Sequence, residues 1–198
     1  MKLGIIFAGQ GSQKIGMGKD LYEVYPEFRN SFDLLTDEYR RIAFEGTAEE
    51  IKATVNAQPI LLAFGIGVSK ILAKKGIRAD YTCGLSLGEY TALTSAGVFS
   101  EKEAMALIQF RANAMAKASE GLDTVMSAVL GLERKLLLSL CEKANEKAKV
   151  EIANYNCPGQ IVISGTRDGV TELERLAEEA GAKRTMRLSV SGPFYTSY

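Results

Sequence analysis

The chain has 198 residues, and its hydrophobic content of 46% is enough to bury a core in one or two domains. Lys plus Arg and Asp plus Glu both number 24, so the net charge of zero gives no reason to expect a nucleic acid or a membrane surface as a partner. Three scattered cysteines and no histidine argue against a metal site and favour reduced thiols in a cytoplasmic protein. No stretch approaches the roughly 18 apolar residues of a membrane span.

The first part of the chain is predicted to be an α/β unit with parallel strands. Residues 2–7, KLGIIF, are expected to form a buried central strand that ends in the turn AGQGSQ. Helical periodicity follows around residues 22–35. Residues 58–75 then form a strongly apolar helix that Lys-Lys-Gly brings to its end. RADYTC at 78–83 supplies a second short strand.

The next segment carries the pattern G-x-S-x-G. GLSLG at 84–88 follows the short strand and precedes a helix of small residues, the context that lifts a nucleophilic serine, here Ser86, onto a sharp turn. A serine nucleophile needs a base, most often histidine, and this chain contains none. We expect Leu85 and Cys83 to be buried apolar side chains, so Cys83 is not a second nucleophile.

The helix predicted over 100–119 carries an arginine within its apolar stripe. Ser100 and Glu103 form a capping box at its start. The stripe consists of Ala104, Ile108, Arg111 and Met115. Because a buried guanidinium needs an anionic or carbonyl partner, Arg111 is either a ligand-binding residue or a cap on the end of a neighbouring helix.

From about residue 122 the pattern becomes β-α-β-β-α-β, which predicts a ferredoxin-like split-βαβ arrangement. The predicted strands are 123–131, 149–156, 160–165 and 183–190, and the predicted helices are 133–148 and 166–181. We therefore divide the chain into a large α/β domain at 1–120, a small ferredoxin-like domain at 121–190, and the start of a return to the large domain at 191–198.

Five segments in this order resemble the malonyl-CoA:acyl carrier protein transacylases over essentially the whole chain. They are GQGSQ at 9–13, GLSLGEY at 84–90, Arg111, NYNCPGQIVISG at 154–165 and VSGPFYTSY at 190–198. The resemblance implies a hydrolase-like, parallel-sheet large domain into which the small domain is inserted. It also implies transfer of a malonyl group from coenzyme A to an acyl carrier protein through an acyl-serine, in fatty-acid biosynthesis. The implied substrate is malonyl-CoA, and no bound cofactor is implied.

The resemblance also assigns roles to single residues. Ser86 matches the nucleophile, and the backbone N–H groups of Gln10 and Leu87 match the oxyanion hole, which stabilises a tetrahedral intermediate. Arg111 matches the arginine that binds the free carboxylate of malonate through its planar fork. Met115, one turn further along the helix, matches a residue of the acyl pocket.

Three departures from the family pattern lead us to expect an impaired enzyme. Leu85 replaces the histidine of G-H-S-x-G, and Tyr195 replaces the general-base histidine of P-F-H. A phenol keeps its proton near neutral pH, and loss of a positioned base costs about 10²–10⁴ in rate. Family members also continue past this motif, so we expect the 198 residues to lack the C-terminal part of the family's large domain. We expect exposed apolar surface and self-association as a result.

Two other functions are consistent with these motifs. One is a non-catalytic relative that binds acyl carrier protein or coenzyme A thioesters, or that assembles with another chain. The other is a serine hydrolase or thioesterase, against which Arg111, the ferredoxin-like domain and the missing Ser…Asp…His order argue. We favour a surface position near the chain end for Tyr195 over a catalytic phenolate.

Overall fold

The computed structural model describes residues 2–190 and 192–198. The chain folds into two compact units, Met1–Ala114 and Met115–Tyr198. The division falls inside a helix, Glu101–Ala118, near the end of the large domain expected from the sequence. The domain limits at 120 and 190 stay predictions, and Ser191, the first residue of the expected return segment, lies outside the described residues.

The first unit combines two parallel strands with a layer of helices. Its elements are β1 Gly4–Phe7, α1 Lys19–Val24, α2 Pro26–Phe32, α3 Asp37–Glu45, α4 Ala48–Lys52, α5 Thr54–Lys74, β2 Tyr81–Gly84, α6 Leu87–Ser95 and most of α7 Glu101–Ala118. β1 and β2 pair in parallel, with Ile6 opposite Cys83 and Phe7 opposite Gly84. The predicted α/β class with parallel strands is therefore confirmed.

The expectation that β1 is a buried central strand is wrong. In the described part of the chain β1 pairs only with β2, and the Ile6 side chain is 79% exposed while Phe7 is buried. Side chains alternate between the two faces of a strand, so one face of this pair packs on helices and the other meets solvent. Cys83 is exposed as well, against expectation, because it lies opposite Ile6 on the solvent face.

Helix α5 forms the centre of the first core. An apolar helix of this kind is buried on most of its circumference. Its buried residues include Ile60, Leu62 and Ile66, and α2 packs against it. Among the described helices α5 alone is long and apolar enough to span a membrane, contrary to our expectation, although 56% of its most apolar window is buried inside the protein. This burial is the pattern of a core helix.

Helices α3 and α4 were not predicted, although their start signals are present in the sequence. The Thr36 side chain accepts a hydrogen bond from the Tyr39 N–H group at the start of α3. At the start of α4, Thr47 and Glu50 form a reciprocal capping box. Tyr39, Ile42 and Ala43 also share the buried face of α3, so this helix carried a second sequence signal that we missed. Helix α4, with five residues, is too short to show an apolar period.

The second unit has the predicted ferredoxin-like topology. Its elements are β3 Thr124–Leu130, α8 Arg134–Asn145, β4 Val150–Cys157, β5 Gln160–Thr166, α9 Arg167–Glu179 and β6 Arg184–Arg187. The strand order is β4-β5-β3-β6, and the three described pairings are antiparallel. Helices α8 and α9 cover one face of the sheet, where Leu137, Ile163 and Leu173 are fully buried. This is the split-βαβ arrangement.

Candidate active site

Ser86 occupies a strained turn between β2 and α6. Its backbone has φ 59° and ψ −113°, and the helix begins at the next residue, Leu87. A positive φ is uncommon outside glycine, and among the described residues only Ser86 and Tyr195 combine it with a side chain. A serine held in strain on a strand-to-helix turn is the geometry of a nucleophile elbow.

The glycines around Ser86 allow three backbone segments to meet. A Cβ atom on Gly84 would overlap the carbonyl group of Gly88, and one on Gly88 would overlap the carbonyl oxygen of Phe7 at the end of β1. A Cβ on Gly9 would lie 2.8 Å from the backbone oxygen of Leu85. The loop after β1, which contains Gln10, is therefore packed directly against the elbow.

The expectation that Leu85 is buried is wrong, since its side chain is 56% exposed. The backbone of Leu85 is fixed on both sides. Its N–H group donates to the carbonyl oxygen of Phe7 at 3.2 Å, and its oxygen accepts from the N–H group of Gly88 at 2.9 Å. The main chain is thus held inside the turn, and the side chain extends towards solvent.

Arg111, on α7, reaches the serine. One guanidinium nitrogen donates to Ser86 Oγ at 2.9 Å, and another donates to Gln58 Oε1 at 2.6 Å. The guanidinium carbon lies 5.6 Å from the centre of the Tyr90 ring, within the range of a cation–π contact. These two hydrogen bonds go to side-chain atoms at the elbow and on α5. They place the predicted carboxylate-binding residue beside the predicted nucleophile.

A row of amides continues from Arg111 into the protein. Gln58 is 1% exposed, and its Nε2 lies 3.5 Å from Gln10 Oε1. Gln10 Nε2 donates in turn to Thr54 Oγ1 at 3.1 Å. The side chain of Gln10 is thus joined to Arg111 through Gln58. Sequence reasoning missed Gln58 as a site residue, and the available signal was a polar residue inside an otherwise apolar helix.

The predicted oxyanion donors flank the same turn. Leu87 is the first residue of α6, and N–H groups in the first turn of a helix have no partner within that helix and carry partial positive charge. Gln10 follows Gly9, where a Cβ atom would lie 2.8 Å from the backbone oxygen of Leu85. Negative charge developing near Ser86 would meet the positive end of α6 as well as the guanidinium of Arg111.

Two predicted site residues belong to the second unit. Met115 is half-buried on α7, and its carbonyl oxygen accepts from Ser119 Oγ at 2.7 Å. Tyr195 is 49% exposed with φ 62°, which agrees with the surface position favoured from the sequence.

Within residues 2–190 and 192–198, no group of three or more His, Cys, Asp and Glu side chains is placed to hold a metal ion.

A sequence model of the acyl transferase domain matches residues 5–192. The chain is 45% identical to a Bacillus subtilis protein named malonyl CoA-acyl carrier protein transacylase, with 98% of this chain and 63% of that protein covered. A Haemophilus influenzae protein of the same name is 36% identical, with 97% and 64% covered. The chain thus spans less than two thirds of the length of these relatives.

Solved structures agree with these similarities. An acyl-carrier-protein-S-malonyltransferase from Bartonella henselae is 39% identical, with a TM-score of 0.92 and coverage of 100% of this chain and 65% of that one. A malonyl-transacylase solved in complex with its type II PKS acyl-carrier protein is 33% identical, with a TM-score of 0.90 and coverage of 98% and 64%. The fold of both units therefore matches solved acyltransferases.

Proposed function

The chain belongs to the acyl transferase domain family, and we propose that it transfers a malonyl group from malonyl-CoA to an acyl carrier protein in fatty-acid biosynthesis. The observation that carries this proposal is the hydrogen bond of 2.9 Å between Arg111 and Ser86 Oγ. In a malonyl group one methylene separates the reacting carbonyl from the free carboxylate. A guanidinium beside the attacking oxygen is therefore within reach of that carboxylate.

The reaction proceeds through an acyl-serine. The Ser86 oxygen attacks the thioester carbonyl and loses its proton, and the thiolate of coenzyme A leaves and takes up a proton. The N–H groups of Gln10 and Leu87 stabilise the oxyanion of the tetrahedral intermediate. The thiol of the acyl carrier protein then attacks the malonyl-serine ester and regenerates the hydroxyl. Met115 is assigned to the acyl pocket by its match to the family's residue.

The position of the family's general base is occupied by a tyrosine. None of the 198 residues is a histidine, and Tyr195 stands at the position of the family's histidine. The positioned base of such a reaction contributes about 10²–10⁴ in rate. We therefore propose that this chain by itself acylates slowly, relying on the oxyanion hole and on Arg111.

The missing base also supports a second candidate, a non-catalytic relative. Such a protein would bind coenzyme A thioesters or an acyl carrier protein at the same site, or assemble with another chain, without turnover. In that case binding would not depend on the Ser86 hydroxyl. Because the Arg111 contact serves binding as well as chemistry, a binding measurement alone does not separate the two candidates.

Three accompanying properties are part of the proposal. The partner is an acyl carrier protein, as in the solved complex of a related malonyl-transacylase. The location is the cytoplasm, where the free thiols of Cys83, Cys141 and Cys157 would stay reduced. Self-association would proceed through the apolar surface around Ile6, which is 79% exposed.

The direct test is malonyl transfer to a carrier protein that bears its phosphopantetheine arm. The protein is incubated with malonyl-CoA and the carrier, and the mass of the carrier is followed over time, with Ser86→Ala as the control. The proposal expects slow formation of malonyl-carrier that the Ser86→Ala change abolishes. Binding of malonyl-CoA with no transfer would favour the non-catalytic candidate, and release of free malonate without carrier loading would favour a hydrolase.

A further inference from the structure

Gln58 is a buried amide on an apolar helix. It is 1% exposed, and its neighbours along α5 include Pro59, Ile60 and Leu61, all buried. A polar side chain in such a place is costly unless its hydrogen-bonding groups are satisfied. The Gln58 oxygen accepts from Arg111 at 2.6 Å. The position of Gln58 therefore has to be explained by its partners, not by packing alone.

Arg111 fixes the direction of the amide. A guanidinium has donors and no acceptor, so the atom of Gln58 that faces Arg111 must be the oxygen. The Gln58 NH₂ group then faces the Gln10 oxygen at 3.5 Å, and the Gln10 NH₂ group faces Thr54 Oγ1 at 3.1 Å. These hydrogen bonds connect Thr54 to Ser86 through Gln10, Gln58 and Arg111, with one consistent choice of donor and acceptor at each step. In this series Gln58 is the residue that hydrogen-bonds to Arg111.

The neutrality of Gln58 matters as much as its geometry. A carboxylate at this position would hold the guanidinium equally well, and it would also cancel the positive charge. An amide oxygen orients the guanidinium through a hydrogen bond and leaves the charge of Arg111 to act on an incoming anion.

We propose that Gln58 is a positioning residue that holds Arg111 at Ser86 without neutralising it, and that it thereby sets a preference for thioesters whose acyl group carries a free carboxylate. This inference rests on the function proposed above and deepens it. Gln58 acts through Arg111, and it need not contact the acyl group itself. The preferred class is malonyl and similar dicarboxylic acyl groups over acetyl and other monocarboxylic ones.

The test measures binding, so that it is separate from acyl transfer. Isothermal titration calorimetry gives the Kd of malonyl-CoA and of acetyl-CoA for the full chain carrying Ser86→Ala, which cannot be acylated at that position. The same two constants are measured after adding Gln58→Glu, Gln58→Met or Thr94→Val. Thr94 is a buried polar control, because its hydroxyl donates to the Tyr90 carbonyl oxygen within α6 at 2.7 Å.

The parent protein, which carries Ser86→Ala alone, should bind malonyl-CoA more tightly than acetyl-CoA by about tenfold or more, as expected for a charge-assisted contact. Gln58→Glu should remove most of this ratio, because its carboxylate pairs with Arg111. Gln58→Met, similar in volume and uncharged, should reduce the ratio less, because Arg111 keeps its charge and loses only its orientation. Thr94→Val should leave the ratio unchanged.

Equal weakening of both thioesters in the Gln58 variants would overturn the inference, because it would indicate a packing role only. A parent without preference for malonyl-CoA would overturn it as well. If Gln58→Glu does not fold, as judged by circular dichroism, the ratio of the acetyl-CoA and malonyl-CoA Kd values for Gln58→Met decides whether the inference holds. Failure of the proposed function is recognised separately, as a chain that shows the malonyl preference in binding and never loads the carrier protein.

Discussion

At the scale of single residues, the proposed reaction depends on the surroundings of one hydroxyl group. Ser86 lies on a turn with φ 59°, and Arg111 donates to its oxygen at 2.9 Å. A cation that hydrogen-bonds to an oxygen favours the ionised form of that oxygen, so Arg111 would support the proposed nucleophile, Ser86, before any substrate is present. What the reaction still requires is an acceptor for the Ser86 proton.

Replacing Tyr195 by histidine should speed acylation of Ser86. Histidine at this position would match the family's general base, and a positioned base is worth about 10²–10⁴ in rate. The measurement is the initial rate of malonyl attachment to the protein, followed by intact mass at fixed malonyl-CoA concentration.

Tyr198→His is the matched control for this change. Tyr198 is a second tyrosine in the same terminal segment, and its ring lies 4.0 Å from Lys149 Nζ. We expect no gain from it. An unchanged rate in Tyr195→His, or an equal gain in both variants, would contradict the role assigned to position 195.

Single residues also show how far the sequence can lead. The turn at Ser86 and the unusual position of Arg111 were predictable, because a turn motif and a charge on an apolar stripe are local signals, while the roles of both residues stay predictions. Gln58 was not, since its role depends on where α5 lies relative to α7. Leu85 and Cys83 were predicted to be buried and are exposed, because burial depends on which elements cover a turn or a strand as well as on the residue type.

At the scale of elements, the elbow and the helix caps depend on backbone fit. Gly84 and Gly88 have no room for a Cβ atom, so β2 and α6 can meet only with glycine at both positions.

The cap of α4 is reciprocal, with Thr47 Oγ1 accepting from the Glu50 N–H group and Glu50 accepting from the Thr47 N–H group. Such signals are short and local, and the strand-turn-helix order around Ser86 could therefore be predicted.

The capping box predicts a specific pH dependence of stability. The Thr47 N–H group, and after it Arg41, lower the pKa of Glu50 from its ordinary value of 4.5 to about 2. Because the folded pKa is depressed, the carboxylate stabilises the fold above about pH 4.5, and this contribution is lost as the pH falls towards 2. Glu50→Gln should therefore lower the free energy of unfolding at pH 7, and the difference from the wild type should shrink progressively below pH 4.5.

Urea unfolding between pH 7 and pH 3 measures this difference. Glu49→Gln, which removes a neighbouring charge from the same helical turn, is the control for the effect of charge at the helix start. A Glu50→Gln difference that stays constant across this range, or that equals the difference for Glu49→Gln at every pH, would argue against the capping role of the carboxylate.

At the scale of the whole molecule, the two fold classes were predictable and the exposure of the first sheet was not. The order of elements indicated a parallel α/β unit and a ferredoxin-like unit, and the strand pairings confirm both. The sequence predicts that Ile6 is a core residue, because Ile6 belongs to an apolar run of residues. Its exposure reflects the number of strands in the sheet, which a local pattern does not contain.

The apolar surface around Ile6 should mediate self-association. A groove of about 470 Å³ lies beside this strand. Its apolar lining includes Ile5, Ile6, Phe7, Leu61, Phe64 and Val68. Burying an isoleucine is worth about 1.5–3 kcal/mol, so Ile6→Ser should raise a dimer Kd about tenfold or more. Sedimentation equilibrium over a range of concentrations measures this constant.

Val24→Ser is the control for Ile6→Ser. Val24 is 66% exposed and does not line the groove. We expect the Val24→Ser protein to associate like the wild type. A wild-type protein that stays monomeric at every concentration, or equal weakening in both variants, would show that this surface does not join two copies.

The decisive measurement for Ser86 is the intact mass of the protein after long exposure to malonyl-CoA, with the Ser86→Ala variant as the control. We expect the wild type to gain the mass of one malonyl group, slowly, and the variant to gain nothing. Peptide mapping should locate the added group on Ser86. No mass gain in the wild type, or an equal gain in both proteins, would contradict the claim that the hydroxyl beside Arg111 is the acyl acceptor.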